Sequence, residues 1–315
     1  EIARTEVIWT AKLGIAASAV GSLAMWFDGY SGYLQNLYSF PHLFLCIGLL
    51  GGLGALALKE RRWLLPSVGL VLIHGAILLP LYTAPEDHCV GELDVVAINI
   101  FVDNEEPEKV VEYVKRIRPE VLFVSELLPE SHALLAELYP YSWSDTEVSY
   151  NGLYSQHPIL EATRVNDFRT IWRTVDAVIS IDGQEVRVLG VHPPPPITNE
   201  GIELRDWALA DVARRARGSI QPVIVLGDFN ATMWTPGYAP LGDLKNGRDG
   251  RFVGGTWPRG FPAKIPIDHI LTSENLGICS FEVGEDVGSD HLPVRASISL
   301  RPSGTLAGLG IHRRE

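Results

Sequence analysis

The strongest constraint on the fold is a short buried strand that ends in a polar cluster. Residues 223–226 are Val, Ile, Val and Leu, without the alternation of a half-exposed strand. This segment is therefore predicted to be a strand covered on both faces. Gly227, Asp228, Phe229 and Asn230 follow directly and place a carboxylate and an amide at its end. The same residues favour a hairpin turn, so alone they leave a turn and a functional site as equal alternatives.

The first 83 residues are more apolar than the rest of the chain. Apolar stretches follow one another at residues 13–27, 43–58 and 63–82. The third has the ~20 residues of a bilayer-spanning helix, and the first two reach that length with their flanking residues. A signal peptide explains one such stretch but not three. We therefore predict three transmembrane α-helices in residues 1–83.

Basic residues set the expected orientation of these helices. Arg4 and Lys12 precede the first stretch, while Lys59, Arg61 and Arg62 lie between the second and the third. The positive-inside rule places both segments in the cytoplasm. The prediction is thus a multi-pass protein of the cell membrane, whose remaining residues lie on the extracytoplasmic side after a linker.

The predicted outside domain is acidic and holds two cysteines. Residues 1–83 contain five basic and four acidic residues, so the rest of the chain carries a net charge of −13. Nucleic acid would be repelled by such a domain unless it had a local basic patch. An oxidising compartment permits a disulfide between Cys89 and Cys279, but the sequence does not indicate whether the two lie close together.

Polar side chains follow the apolar segments of this domain. They are Asn99, Glu126, His192, Asp228, Asn230, Asp268, Asp290 and His291. A helix cap or a solvated turn explains each one alone, but their shared position at strand ends favours an active site. Carboxylate and amide oxygens suit Mg²⁺ or Mn²⁺. The sequence has no His-Glu-x-x-His zinc motif, Gly-x-Ser-x-Gly elbow or Walker loop. A helix is also predicted over residues 203–217.

The order of these motifs resembles the endonuclease/exonuclease/phosphatase superfamily. The resemblance rests on Gly-Asp-Phe-Asn at residues 227–230 and Ser-Asp-His at residues 289–291, and it covers about residues 93–300. The chain looks most like the bacterial membrane-anchored branch. The resemblance implies an α/β (α+β) four-layer sandwich, two packed β-sheets flanked by helices, here preceded by the three transmembrane helices. The predicted domains are residues 1–83 (membrane), 84–92 (linker), 93–300 (catalytic) and 301–315 (tail).

The resemblance also implies a divalent metal site. Glu126 is similar to the principal ligand, Asn99 lies beside it, and Asp290 is expected near the metal or its water. The expected cofactor is Mg²⁺, with Mn²⁺ or Ca²⁺ as alternatives. Phe101 stands where nuclease branches often carry an acid, which weighs against a nuclease.

Five further residues match catalytic positions. Asp228 resembles the residue that orients or deprotonates the attacking water, and Asn230 resembles the amide that orients the phosphate. His291, held by Asp268, and His192 resemble the histidines at the scissile phosphate. The resemblance leaves the general base to either Asp228 or His291.

The expected activity is hydrolysis of a phosphodiester, and the membrane helices favour a lipid head group or another surface phosphodiester as substrate. Trp234, Tyr238, Trp257 and Arg251 are predicted substrate-binding residues, although the aromatic residues also fit a small apolar core. An extracytoplasmic nuclease and a catalytically silent binding or assembly module are the alternatives. The lipid bilayer is the expected partner, and the oligomeric state is left open.

Overall fold

The computed structural model describes residues 2–24, 32–84, 89, 93–165, 174–251 and 254–300. Most of the predicted linker, residues 85–88 and 90–92, and the whole predicted tail, residues 301–315, lie outside the described residues.

The N-terminal segment forms helices that pack on one another. They are α1 Ile2–Ala24, α2 Pro41–Ala57, α3 Leu64–Leu78 and the short α4 Pro80–Thr83, with 3-10 turns at Gly32–Ser39 and Arg61–Trp63. Two polar contacts link them. Oγ of Ser22 lies 2.8 Å from Nε2 of the buried His74. Nζ of Lys12 lies 3.1 Å from Glu60, which places the middle of α1 beside the loop between α2 and α3.

The prediction of three membrane-spanning helices is not supported. In the described part of the chain, one segment is long and apolar enough to cross a membrane, Arg61–Leu78. A second is reached only if Tyr33–Ser39 and Pro41–Ala57, which meet at 68°, count together. Pro41 has no N–H to donate to the preceding turn, so α2 starts afresh there with 17 residues, ~25 Å against the ~30 Å of a bilayer core. In α1, Lys12 is paired with Glu60 and so does not extend the apolar stretch.

The remaining chain folds into two six-stranded mixed sheets. The first has the order β11-β12-β1-β2-β4-β3 and the second β5-β6-β7-β8-β10-β9. The strands are β1 Leu93–Asn99, β2 Val121–Ser125, β3 Tyr141–Asp145, β4 Asn151–Ser155, β5 Ile159–Arg164, β6 Val175–Ile181, β7 Gln184–Val191, β8 Val223–Asp228, β9 Lys245–Asn246, β10 Asp268–Thr272, β11 Gly277–Val283 and β12 Val294–Ser299. β1 is parallel to β2 and β7 is parallel to β8, while their other neighbours are antiparallel.

The sheets pack face to face with helices outside, which confirms the four-layer sandwich. One apolar cluster lies between the sheets and includes Phe123 and Leu226. A second packs α5, Pro107–Ile117, and α6, Pro129–Ala136, against the outer face of the first sheet. A third packs α7, Asn199–Arg217, against the second sheet. Strands buried on both faces explain why residues 223–226 lack alternation.

Two kinds of contact connect the N-terminal helices to the sandwich. Cys89, just after α4, forms a disulfide with Cys279 of β11, so the permitted bridge is present. Noncovalent contacts join the 3-10 turn at Gly32–Ser39 to α7 and to the loop after β7.

Candidate active site

The predicted site residues meet at one edge of the sandwich. β1, β2, β7 and β8 all end at this edge, and β10 starts there, because Asp268 pairs with Asp228 in the antiparallel register. The strands therefore deliver Asn99, Glu126, His192, Asp228 and Asp268 to one place, and the loop before β12 adds Asp290 and His291. Rigid strand ends fix the relative positions of these side chains.

Asn99 links the carboxylates of the two sheets. Its amide nitrogen donates to Oε1 of Glu126 at 2.9 Å and to Oδ2 of Asp228 at 3.1 Å. Its amide oxygen accepts from the N–H of Phe101 at 3.0 Å. Asn99 therefore contacts the site through its amide nitrogen, which positions the two acids. The ligand role implied by the resemblance needs the oxygen, which the structure directs to the backbone.

Left-handed backbone at two site residues aims their side chains. Glu126 has φ 58° and Asn230 has φ 49°, in a region that non-glycine residues enter at a cost. At Glu126 this turn lets Oε2 accept from the N–H of Val102 at 2.8 Å. At Asn230 it brings the backbone N–H to 2.8 Å from Oδ1 of Asp228, and the side-chain amide donates to the carbonyl of Pro193 at 3.1 Å.

His291 is held by contacts on two sides. Nδ1 lies 2.9 Å from Oδ2 of Asp268, and its backbone N–H donates to Oγ of Ser289 at 3.0 Å. Ser289 in turn donates to the carbonyl of Asn99 at 2.7 Å, which connects the first sheet to this loop. Nε2 of His291 then lies 3.7 Å from Oδ2 of Asp228. The Ser-Asp-His motif contains Ser289 without indicating a role for it, and its two backbone contacts show that it positions His291.

Burial and charge separate the protonation states of the site. Burial raises the pKa of Asp228 to about 7, against the opposing effect of His291. Burial by itself lowers the pKa of His291, but the carboxylates of Asp268 and Asp228 outweigh it and raise that pKa to about 10. Burial and the neighbouring His291 lower the pKa of His192 to about 3. The site thus combines one cationic and one neutral imidazole around a buried carboxyl group.

The donor set fits a hard divalent metal. Asp228, Asp268 and His291 bring ligand atoms within 4.8 Å of one another. Asp268 is already engaged by His291, so the acids at the open side are the better ligands. Oδ1 of Asp290 is buried and makes no hydrogen bond to the described residues, and Glu126 is half-buried. Carboxylate oxygens are the ligands that Mg²⁺ and Mn²⁺ prefer.

Three of the predicted substrate-binding residues lie near the surface and one does not. Nε1 of Trp257 donates to Oδ2 of Asp290 at 2.9 Å, with the ring at the rim of the site. Trp234 packs edge-on against His42 of α2, and Arg251 donates to the carbonyl of Ile278.

Tyr238, predicted to bind substrate, is buried and not exposed at the site. It is only 6% exposed and packs against Phe229 and His269. Its hydroxyl accepts a hydrogen bond from Asn246 at 2.8 Å. The residue is therefore part of the core beneath the site, as the apolar-core alternative had it.

Comparisons with known proteins agree with this fold. The sequence model of the Endonuclease/Exonuclease/phosphatase family matches residues 96–291. No curated protein matches the chain. Among solved structures, a humanized D. rerio TDP2 is 16% identical, with 66% of this chain and 98% of that chain covered and a TM-score of 0.57. A truncated Caenorhabditis elegans TDP2 is 19% identical, with 65% and 96% covered and a TM-score of 0.54.

A third solved structure of similar fold contains magnesium ions. A doubly substituted Staphylococcus aureus beta toxin with bound magnesium ions is 16% identical, with 65% of this chain and 99% of that chain covered and a TM-score of 0.52. The family match covers more than half of the sequence. It contains all strands of the second sheet, most of the first sheet and the acids and histidines described above. The chain therefore belongs to the Endonuclease/Exonuclease/phosphatase family, whose members are typically metal-dependent hydrolases of phosphoester bonds.

Proposed function

We propose that this chain is a membrane-anchored, divalent-metal-dependent phosphodiesterase that hydrolyses a lipid head group on the extracytoplasmic side of the cell membrane. The observation that carries the proposal is that the active-site loops are joined to the N-terminal helices. Tethering of this kind brings the reacting groups close to a bilayer surface, where a lipid phosphodiester lies.

Arg205 of α7 makes the most direct connection. This fully buried side chain donates from Nη1 to the carbonyl of Asn230 at 3.3 Å and from Nη2 to Oε1 of Gln35 at 2.9 Å. Asn36 adds a second connection by donating to the carbonyl of Pro196 at 3.0 Å. Both contacts reach loops that carry catalytic residues, since His192 and Asn230 begin them.

The positions of the basic residues support an extracytoplasmic location of the sandwich. Lys59, Arg61 and Arg62 lie between α2 and α3, at the helix ends opposite those that lead to the sandwich. The positive-inside rule then favours the sandwich outside the cytoplasm. The disulfide between Cys89 and Cys279 agrees with this, because such bonds persist in oxidising compartments.

The site geometry supports hydrolysis by water. Glu126 and Asp290 would hold the metal, which supplies neutralisation of the charge that develops on the phosphoryl oxygens. The buried carboxyl of Asp228 lies where it orients water and accepts its proton. The cationic His291 donates a hydrogen bond to a phosphoryl oxygen or to the leaving group. Asn230 and the neutral His192 line the same space and orient the phosphate.

A panel of substrates tests the proposal. Full-length protein in nanodiscs would be assayed with a phospholipid or sphingolipid phosphodiester, with single- and double-stranded DNA and with a soluble aryl phosphodiester, each with Mg²⁺, Mn²⁺, Ca²⁺ or EDTA. We expect metal-dependent lipid cleavage that Asp228→Ala abolishes. DNA cleavage with the same dependence would establish the nuclease instead, and absence of turnover and of metal binding would establish a silent binding module.

A further inference from the structure

A large cavity lies between the N-terminal helices and the sandwich, apart from the metal site. It has a volume of about 630 Å³, within the ~300–1,000 Å³ range of ligand sites. On the helix side it is lined by Phe40, Leu43 and Cys46 of the α2 region and by Leu81 of α4. On the sandwich side it is lined by Met233, Trp234 and residues 262–266. We call this space the interdomain cavity.

The charged groups that line the interdomain cavity are all basic. Arg248, Arg251 and Lys264 reach it, and no aspartate or glutamate lines it in the described part of the chain. This is unusual in a chain with a net charge of −12. Mostly apolar walls with basic side chains on one side complement a molecule that has an apolar tail and an anionic end.

The walls of the interdomain cavity are continuous with the catalytic loops. Trp234 follows Asn230 by four residues, and Leu292 directly follows His291. Nη2 of Arg248 lies 3.3 Å from the carbonyl of Asp268, the residue that holds His291. A molecule in the cavity would therefore touch the segments that fix three catalytic side chains.

We propose that the interdomain cavity binds one anionic phospholipid from the surrounding bilayer, with an acyl chain between α2 and the sandwich and the phosphate on Lys264 and Arg251. The inference rests on the membrane anchoring in the proposed function but not on catalysis. The bound lipid fills the space between the two parts of the chain and thereby stabilises the docked arrangement of the active-site loops.

Two glycines provide a matched pair of variants. At Gly254, which lines the interdomain cavity, an added Cβ meets nothing within 4 Å, so we expect Gly254→Leu to narrow the cavity. Gly260 has equally open space but does not line the cavity, so Gly260→Leu is the control. Lys264→Gln removes the charge and leaves a polar side chain that is one atom shorter.

Native mass spectrometry of the full chain in detergent, titrated with phosphatidylglycerol or phosphatidylcholine, tests the inference. An Asp228→Ala background with EDTA makes the result independent of turnover, so failure of the proposed catalytic activity leaves this measurement unaffected. We expect one tightly retained phosphatidylglycerol, binding weakened at least about tenfold by Gly254→Leu and about fivefold by Lys264→Gln, and no change with Gly260→Leu.

Two outcomes would overturn the inference: equal retention of both lipids, or full retention of phosphatidylglycerol by Gly254→Leu. If Gly254→Leu fails to fold, as shown by loss of the Cys89–Cys279 disulfide, the lipid preference of Lys264→Gln, on the sandwich side of the cavity, decides alone. An unchanged preference in that variant would then reject the site.

Discussion

His291 and Asp268 form a buried hydrogen bond, with Nδ1 2.9 Å from Oδ2, that points the opposite ring nitrogen at Asp228. The two residues come from different segments, the start of β10 and the loop before β12. An imidazole fixed in this way has its tautomer and its direction set before substrate arrives. The carboxylate of Asp268 is also one of the three that raise the pKa of His291 and keep it protonated.

Asp268→Asn should therefore reduce kcat by about 10²- to 10⁴-fold with little change in KM, because the amide no longer stabilises the imidazolium. Steady-state kinetics on whichever phosphodiester the panel identifies would measure this. Asp182→Asn, at an exposed turn far from the site, is the control. A wild-type kcat in Asp268→Asn would remove the His-Asp pair from the mechanism.

Glu126→Gln should weaken binding of Mn²⁺ by about tenfold or more, since it replaces the charged oxygen best placed to hold the ion. Isothermal titration of the apo protein measures the change without any substrate. The matched control is Glu130→Gln on the exposed face of α6. Equal affinities in Glu126→Gln and wild type would transfer the metal to Asp228 and its neighbours.

Gly227→Ala should destabilise the catalytic domain by ~2–4 kcal/mol. Gly227 has φ 135°, and an added Cβ would lie 2.2 Å from the carbonyl oxygen of Val191 in the neighbouring strand. Gly183 has φ 85° with open space around it, so Gly183→Ala isolates the backbone cost alone. Denaturant unfolding should rank the two variants in that order, and equal losses would contradict the crowding at Gly227.

The sandwich was predictable because its strands are strongly patterned. The apolar runs of β1, β2 and β8 are typical of buried strands, and the polar residues at their ends indicate the site. The helix predicted over residues 203–217 starts earlier, at Asn199, because Oγ1 of Thr198 caps the N–H of Gly201. A threonine three residues before a backbone N–H that it caps is a local signal for the first turn of a helix.

Contacts between distant segments were not predictable from one sequence. The hydrogen bond from Asn99 to Asp228 joins residues 129 positions apart and depends on how the two sheets pack. The disulfide partners are 190 residues apart. The number of spans was overestimated for a related reason, since apolar content alone does not show the bend at Pro41 or the pairing of Lys12 with Glu60.

The disulfide between Cys89 and Cys279 determines how many cysteines can be labelled before and after reduction. Cys46 is the single cysteine outside the bond, so a maleimide that adds mass should label one site in the denatured, unreduced protein and three after reduction. Cys279→Ser should raise the unreduced count to two, and we expect it to lower the stability of the domain by roughly 2–5 kcal/mol. Three labels without reductant would show that the two thiols remain apart in cells.

α7 contacts the 3-10 turn at Gly32–Ser39 through Arg205 and Gln35. Gln35→Ala combined with Asn36→Ala removes the contacts to Arg205 and Pro196 and substitutes no catalytic residue. We expect cleavage of a lipid in nanodiscs to fall about threefold to tenfold, because two connections between the loops and the helices are lost. Cleavage of a soluble aryl phosphodiester should fall much less, since that substrate needs no bilayer contact. Gln156→Ala, beyond the strand end opposite the site, is the matched control. Equal losses on both substrates would mean that the contacts support only the geometry of the site and that the position of the sandwich on the membrane does not select the substrate.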